Sequence, residues 1–196
     1  MKKYELTTET KELCGITLYR IKALRSIRGI KPGELGGWVE SESNLSQLGG
    51  AWVSDGASVC GNARVYGNAQ VYGGACIYGG DASVCGDASV CGNAQVYGGA
   101  RVCGNAQVYG GARVCGNAQV CNNEHIMWIS HIGSRNGTTT FFATTAGIYV
   151  SCGCFSGSIA AFEDAVKNKH GENRHGKAYL LAIELAKLKI KLPEEV

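Results

Sequence analysis

A mainly β solenoid, closed by an N-terminal cap and followed by a small α+β domain, is the fold class that this chain of 196 residues predicts. Three observations predict it. Valine or isoleucine recurs every six residues from Val53 and Val59 through Ile77 to Val114 and Val120, with one longer step between Ile77 and Val84. Each of these positions has alanine two residues earlier, from Ala51 to Ala118. Between the pairs sit Gly-Asn, Gly-Gly or Gly-Asp turns, such as Gly61-Asn62 and Gly86-Asp87. Alternation places Ala and Val on one face of a short strand, and the turn residues tolerate positive φ. A six-residue strand-turn unit cannot bury its apolar face alone, so it has to stack on copies of itself.

Composition narrows the function classes. The 29 glycines exceed the usual share, but only 2 prolines accompany them, which excludes collagen. A net charge of +3 is no strong basic field, so nucleic acid is not the expected partner. No apolar run is long enough to cross a bilayer, and the opening MKKYELTTETKE lacks the apolar core of a signal peptide. A cytoplasmic location is expected. The ten cysteines are then read as small apolar side chains rather than as a disulfide framework, because a reducing compartment keeps thiols free.

The hexads resemble the hexapeptide-repeat family, whose fold is a left-handed parallel β-helix with three strands per coil. The resemblance implies about four coils for the twelve units over residues 51–120, and it extends weakly back to Val39 and Leu45. An extra residue near Gly80-Asp81, and two between Leu45 and Val53, are expected to bulge at corners without breaking the stack. The expected organisation is an N-terminal cap over 1–36, a left-handed β-helix over 37–124 and a C-terminal α+β domain over 125–196.

Three strands per coil also build outward columns. Residues following the inward valine form the sets Tyr66, Cys85, Cys103, Cys121; Ser54, Tyr72, Cys91, Tyr109; and Cys60, Tyr78, Tyr97, Cys115. Stripes of tyrosine and cysteine are unusually apolar for solvent, so Tyr66, Tyr72, Tyr78, Tyr97, Tyr109, Cys85, Cys103 and Cys121 are the expected subunit interface. The family commonly trimerises, which implies a homotrimer. Its acyltransferases place a histidine general base between neighbouring helices. Of the four histidines here only His125 approaches the last rung, where it would have to face a neighbour.

The ends break the period. Residues 4–34 carry a short alternating run, Ile16 to Ile21, and a turn at Lys31-Pro32-Gly33, as a cap over the first rung requires. After Val120, IMWISHIGSRNGTTTFFATTAGIYVSCGCF reads as two or three strands turning at Arg135-Asn136-Gly137 and Ala146-Gly147. A helix capped by Ser156 or Ser158 should follow, burying Ala160, Phe162 and Val166 and stopping near Gly171, and KAYLLAIELAKLKI reads as a second helix. The segment Ser130 to Thr138 collects hydroxyls, a histidine, a guanidinium and turn amides that suit a phosphate. Ser130, His131, Ser134, Arg135, Asn136 and Thr138 are therefore candidate ligand-binding residues. Lys169, His170, Arg174, His175 and Lys177 are expected to form a basic loop between the helices that closes on the same ligand. Cys152, Cys154, His170 and His175 have the residue types of a zinc site, but one residue between the cysteines makes joint ligation awkward. No metal, cofactor or catalytic residue is assigned.

Across nearly the whole chain, the order TLYRIKAL…KPGELGGWVES, hexads, then SHIGSRNGTTTFF…GIYVSCGCF resembles a group of uncharacterised phage and prophage proteins. That resemblance implies a bacterial host cytoplasm and an antagonist of host defence. The expected function is non-enzymatic sequestration of a phosphorylated small molecule such as a nucleotide signal. The alternatives are a scaffold that blocks a host protein and a hexapeptide-repeat transferase.

Overall fold

The computed structural model describes residues 1–193; Glu194 to Val196, the end of the expected C-terminal domain, lie outside the described residues. The chain opens with an antiparallel hairpin, β1 (Tyr4–Leu13) and β2 (Ile16–Ala23), which turns at Cys14 and Gly15, both at positive φ. Only the second of these strands is legible in the sequence. The segment TTETKE within the first is polar and largely exposed, so it carries no strong alternation. Strand β3 (Leu35–Val39) pairs antiparallel with β2 and parallel with Ser58–Val59. The hairpin thus prolongs one wall of the solenoid.

Twelve two- or three-residue strands, β4 to β15, run from Trp52–Val53 to Gln119–Val120. Each stacks in parallel on the strand three units away, as Val59 does on Ile77 and Val96 on Val114. The result is a parallel β-solenoid of about five turns with three walls. The turn beyond the expected four comes from the weakly periodic region, where Val39 pairs with Val59 and Leu45 bridges to Val65. The extra residue near Gly80 is absorbed at a corner, for Val65 still lies opposite Val84. Every repeat Ala, Val and Ile is at most 1% exposed.

Polarity along the stack decides what must cap it. In each rung the alanine carbonyl accepts from the N–H of the rung before, as when Trp52 donates to Ala69 and Arg64 to Ala82. The first rung therefore shows carbonyls without donors, and the last shows N–H groups without acceptors, and buried groups of either kind need partners. Side chains supply both. At the start, Lys3 Nζ donates to Ala51 O at 2.8 Å and Asn44 Nδ2 donates to Ala63 O at 2.9 Å. At the end, the N–H groups of Gln107, Arg113 and Cys121 donate to Asn123 Oδ1 (2.8 Å), Thr140 Oγ1 (2.9 Å) and His125 Nδ1 (3.3 Å).

Four antiparallel strands follow: β16 (Ile126–Ile132), β17 (Gly137–Thr144), β18 (Gly147–Cys152) and β19 (Phe155–Ser158). The fourth, beyond the two or three expected, forms because Gly153 takes positive φ and turns Phe155 back beside Cys152. Strand β17 is buried on both faces. Phe142 joins the solenoid core, while Phe141 and Ala143 join a second core under two helices, α1 (Ile159–His170) and α2 (Arg174–Lys189). Ser158 caps α1 by accepting from Ala161 N, and Gly171 ends it. Phe162 and Val166 are buried as expected, but Ala160 is exposed, because it sits in the first turn on the side away from the sheet. The expected basic loop is corrected too. The Asn173 side chain accepts from His175 N and Gly176 N, which starts α2 at Arg174, so the connection shrinks to 171–173.

Candidate functional site

A cavity of about 610 Å³ opens where the C-terminal domain meets the solenoid. Five parts build it, two of them being the β18–β19 turn with Cys152 and Cys154 and helix α2 with Tyr179. The β16–β17 turn contributes Ser134 and Arg135, with Thr138 just inside β17; α1 contributes Phe162, Lys169 and His170; and the solenoid contributes Gly111 and Arg113. Each part is placed by a local rule. The turn closes with Asn136 N donating to Gly133 O and Asn136 at positive φ. Gly133 must be glycine, since its φ is +77° and the Tyr179 hydroxyl occupies the space of a β-carbon. Arg113 stands on the last rung of its wall, where its N–H is held by Thr140 and its guanidinium donates to Gly153 O at 3.4 Å.

The cavity's electrostatics are one-sided. Arg113, Arg135 and Lys169 are cationic, and among the described residues no carboxylate lines it. The wall behind them is apolar, with Ile132, Phe155 and Val166 around the buried Phe162. Burial, reinforced by its contact with the Cys152 thiol, pushes the Tyr179 hydroxyl up to about 12, so at neutral pH it is a hydrogen-bonding group and not a base. Cys152 Sγ accepts from Thr139 Oγ1 at 3.1 Å and lies 3.6 Å from the Tyr179 hydroxyl; both partners are hydroxyls and neither is an imidazole. Among the described residues no three His, Cys, Asp or Glu side chains converge as metal ligands.

The expected binding residues divide. Ser134, Arg135, Thr138, Lys169 and His170 line the cavity. Ser130 touches it only through its 3.0 Å contact with the Thr138 hydroxyl. His131 and Asn136 pair with each other at 3.2 Å, His131 sitting on a bulge at positive φ between Ile129 and Ile132. Arg174 and His175 lie on the first turn of α2 outside the lining, although the His175 ring stands 6.0 Å from that of His170. Sequence reasoning missed Gly111 and Arg113, which read there as ordinary hexad positions. Their one signal is that Arg113 is the last member of its column before the period ends.

The outward columns are also divided. Tyr66, Tyr72 and Tyr109 are exposed, whereas Cys85 and Cys103 are only 5% and 8% exposed within the single chain. Those two thiols therefore offer little surface to a partner. Burial pushes Cys103 up to about 12, with the neighbouring Cys121 thiol adding to the effect. Tyr78 and Tyr97 stack at 5.0 Å, and Trp128 packs edge-on against Tyr109 at 4.4 Å. His125, the one histidine near the last rung, is buried within the single chain, with its Nδ1 accepting from the Cys121 amide.

The repeat matches the family described as YdcK Beta solenoid repeat over residues 57–73, 94–110 and 100–116. These segments lie within the solenoid and stop before the C-terminal domain, so the match supports the β-solenoid and reaches the cavity only at Gly111 and Arg113. No curated protein matches the chain.

Proposed function

We propose that the protein binds a phosphorylated small molecule in the cavity between its solenoid and C-terminal domain and holds it without turnover. One observation carries this reading: Arg113, Arg135 and Lys169 line one concave site with an apolar wall and, among the described residues, no carboxylate. Guanidinium groups offer paired donors to phosphate oxygens, and the volume lies in the range of small-molecule sites. An anion is attracted by three cations, while the aromatic wall suits an attached base or acyl group. The proposed setting is the cytoplasm of a bacterial host, where a phage protein would withdraw a nucleotide signal from defence; it rests on the resemblance of the flanking segments alone. The proposed homotrimer rests on the exposed Tyr66, Tyr72 and Tyr109. Those same tyrosines favour the second reading, a scaffold that blocks a host protein.

Calorimetric titration with adenosine monophosphate and with inorganic phosphate tests the proposal, alongside native mass spectrometry of gently purified protein. Saturable binding that Arg135→Ala abolishes, with the probe recovered unchanged, is the expected result. No binding and no co-purifying small molecule would turn the reading to the protein-binding scaffold. Conversion of the probe would make the protein an enzyme.

A further inference from the structure

Helix α2 is apolar on two opposite sides. One side packs Tyr179, Ala182, Ile183 and Ala186 into the core of the C-terminal domain. The other presents Leu181, Leu185 and Leu188, which are 72%, 50% and 86% exposed. Their spacing of four then three places them within about 60° of arc on a helix of 3.6 residues per turn. This is the a/d seam of a coiled coil. None of the three lines the cavity, and singly exposed leucines need no explanation, but three in one seam do.

We infer that this seam packs against α2 of a second copy of the chain, the two helices running parallel. The flanking charges select that partner. Glu184 precedes Leu185 and Lys189 follows Leu188, so they occupy the g and e positions beside the seam. In a parallel pair a g residue faces the e residue five places further along its partner. Glu184 of each copy then meets Lys189 of the other, giving two symmetric ion pairs from one sequence. Within the single chain Lys189 has no carboxylate partner among the described residues, while Glu184 shares Lys187 with Glu163. The helix therefore carries both halves of its own recognition code, and a foreign partner is not needed to complete it. Parallel helices beside a rotation axis also fit any cyclic assembly.

Sedimentation velocity over a concentration series, on the full chain, tests this independently of ligand binding. The wild type is expected to sediment as a multimer, and Leu185→Glu and Leu188→Glu each as a smaller species than the wild type at the same concentration. Both substituted side chains are exposed, and circular dichroism should show the fold unchanged. Glu184→Lys or Lys189→Glu alone should weaken association roughly two- to fivefold, and combining them should restore it. A single-chain wild type, or a sedimentation profile that Leu185→Glu leaves unchanged, would overturn the inference. Failure of the double exchange to restore association would overturn the parallel register. Titration with adenosine monophosphate should be the same for wild type and Leu185→Glu, so the cavity and the seam stand or fall separately.

Discussion

The Lys3 ammonium, with no exposed surface, donates to the carbonyl oxygen of Ala51 at 2.8 Å. It stands where the N–H of a preceding rung would stand, had there been one. Burial, together with the nearby Arg25 charge, lowers this lysine from 10.5 to about 8. Between those values the unfolded chain holds a proton that the native chain has lost, so native stability rises with pH across that window; below about 8 both states are protonated and the whole desolvation cost is present.

Lys3→Met isolates that effect. The stability of the wild type relative to Lys3→Met should climb by on the order of 3 kcal/mol between pH 8 and 10.5, and stay flat below pH 7. Paired urea melts at each pH measure it, and the difference cancels the other groups that titrate in that range. A flat difference throughout would mean that the lysine is solvated in the folded protein.

Gly86 and Gly116 share a backbone conformation, with φ of +69° and +63°, but not a neighbourhood. A β-carbon on Gly86 would lie 2.8 Å from Gly104 N of the next turn, whereas on Gly116 it would meet nothing within 4 Å. Gly116→Ala should cost about 1 kcal/mol from backbone strain alone. Gly86→Ala should cost about 2–4 kcal/mol, because backbone must also move. Thermal unfolding of the two variants separates the terms, and equal losses would refute the steric part.

Thr140 is buried and accepts from Arg113 N at 2.9 Å. Thr140→Val keeps the volume and removes the acceptor, so an N–H at the end of the solenoid is left without a partner. A loss of about 1–2 kcal/mol is expected in urea denaturation, against a negligible change for Thr145→Val, whose side chain is exposed.

Arg113 should matter to ligand binding although it belongs to the repeat. Arg113→Ala is expected to weaken phosphate-probe affinity about ten- to a hundredfold without lowering the melting temperature, since the side chain is exposed. Arg64→Ala, on another wall, should leave calorimetric affinity unchanged. Equal affinities for wild type and Arg113→Ala would confine the ligand to the C-terminal domain.

Legibility falls away from the repeat towards the site. The valine spacing foretells which residues stack, and even the weak positions Val39 and Leu45 fall into register. Turn chemistry locates the β16–β17 and β17–β18 connections, and with them Ser134, Arg135 and Thr138. The first strand of the hairpin escapes, since its exposed residues carry no pattern. Arg174 and His175 are misplaced because an Asn173 cap, readable in principle, draws them into a helix. Cys85 and Cys103 look exposed by alternation alone and are nearly buried in the folded chain.

What the sequence by itself determined is the solenoid: its period, inward alanines and valines, corner glycines and outward columns all follow from one six-residue unit that can be buried only by repetition. Tertiary structure alone decided how the stack begins and ends. Each end exposes one kind of backbone group, and Lys3 and Asn44 at one end, Asn123, Thr140 and His125 at the other, answer them from places no local pattern marks. It also decided the cavity, because Arg113 and Arg135 stand far apart in the chain and line one site only after β17 has laid one face on the solenoid and the other under the helices.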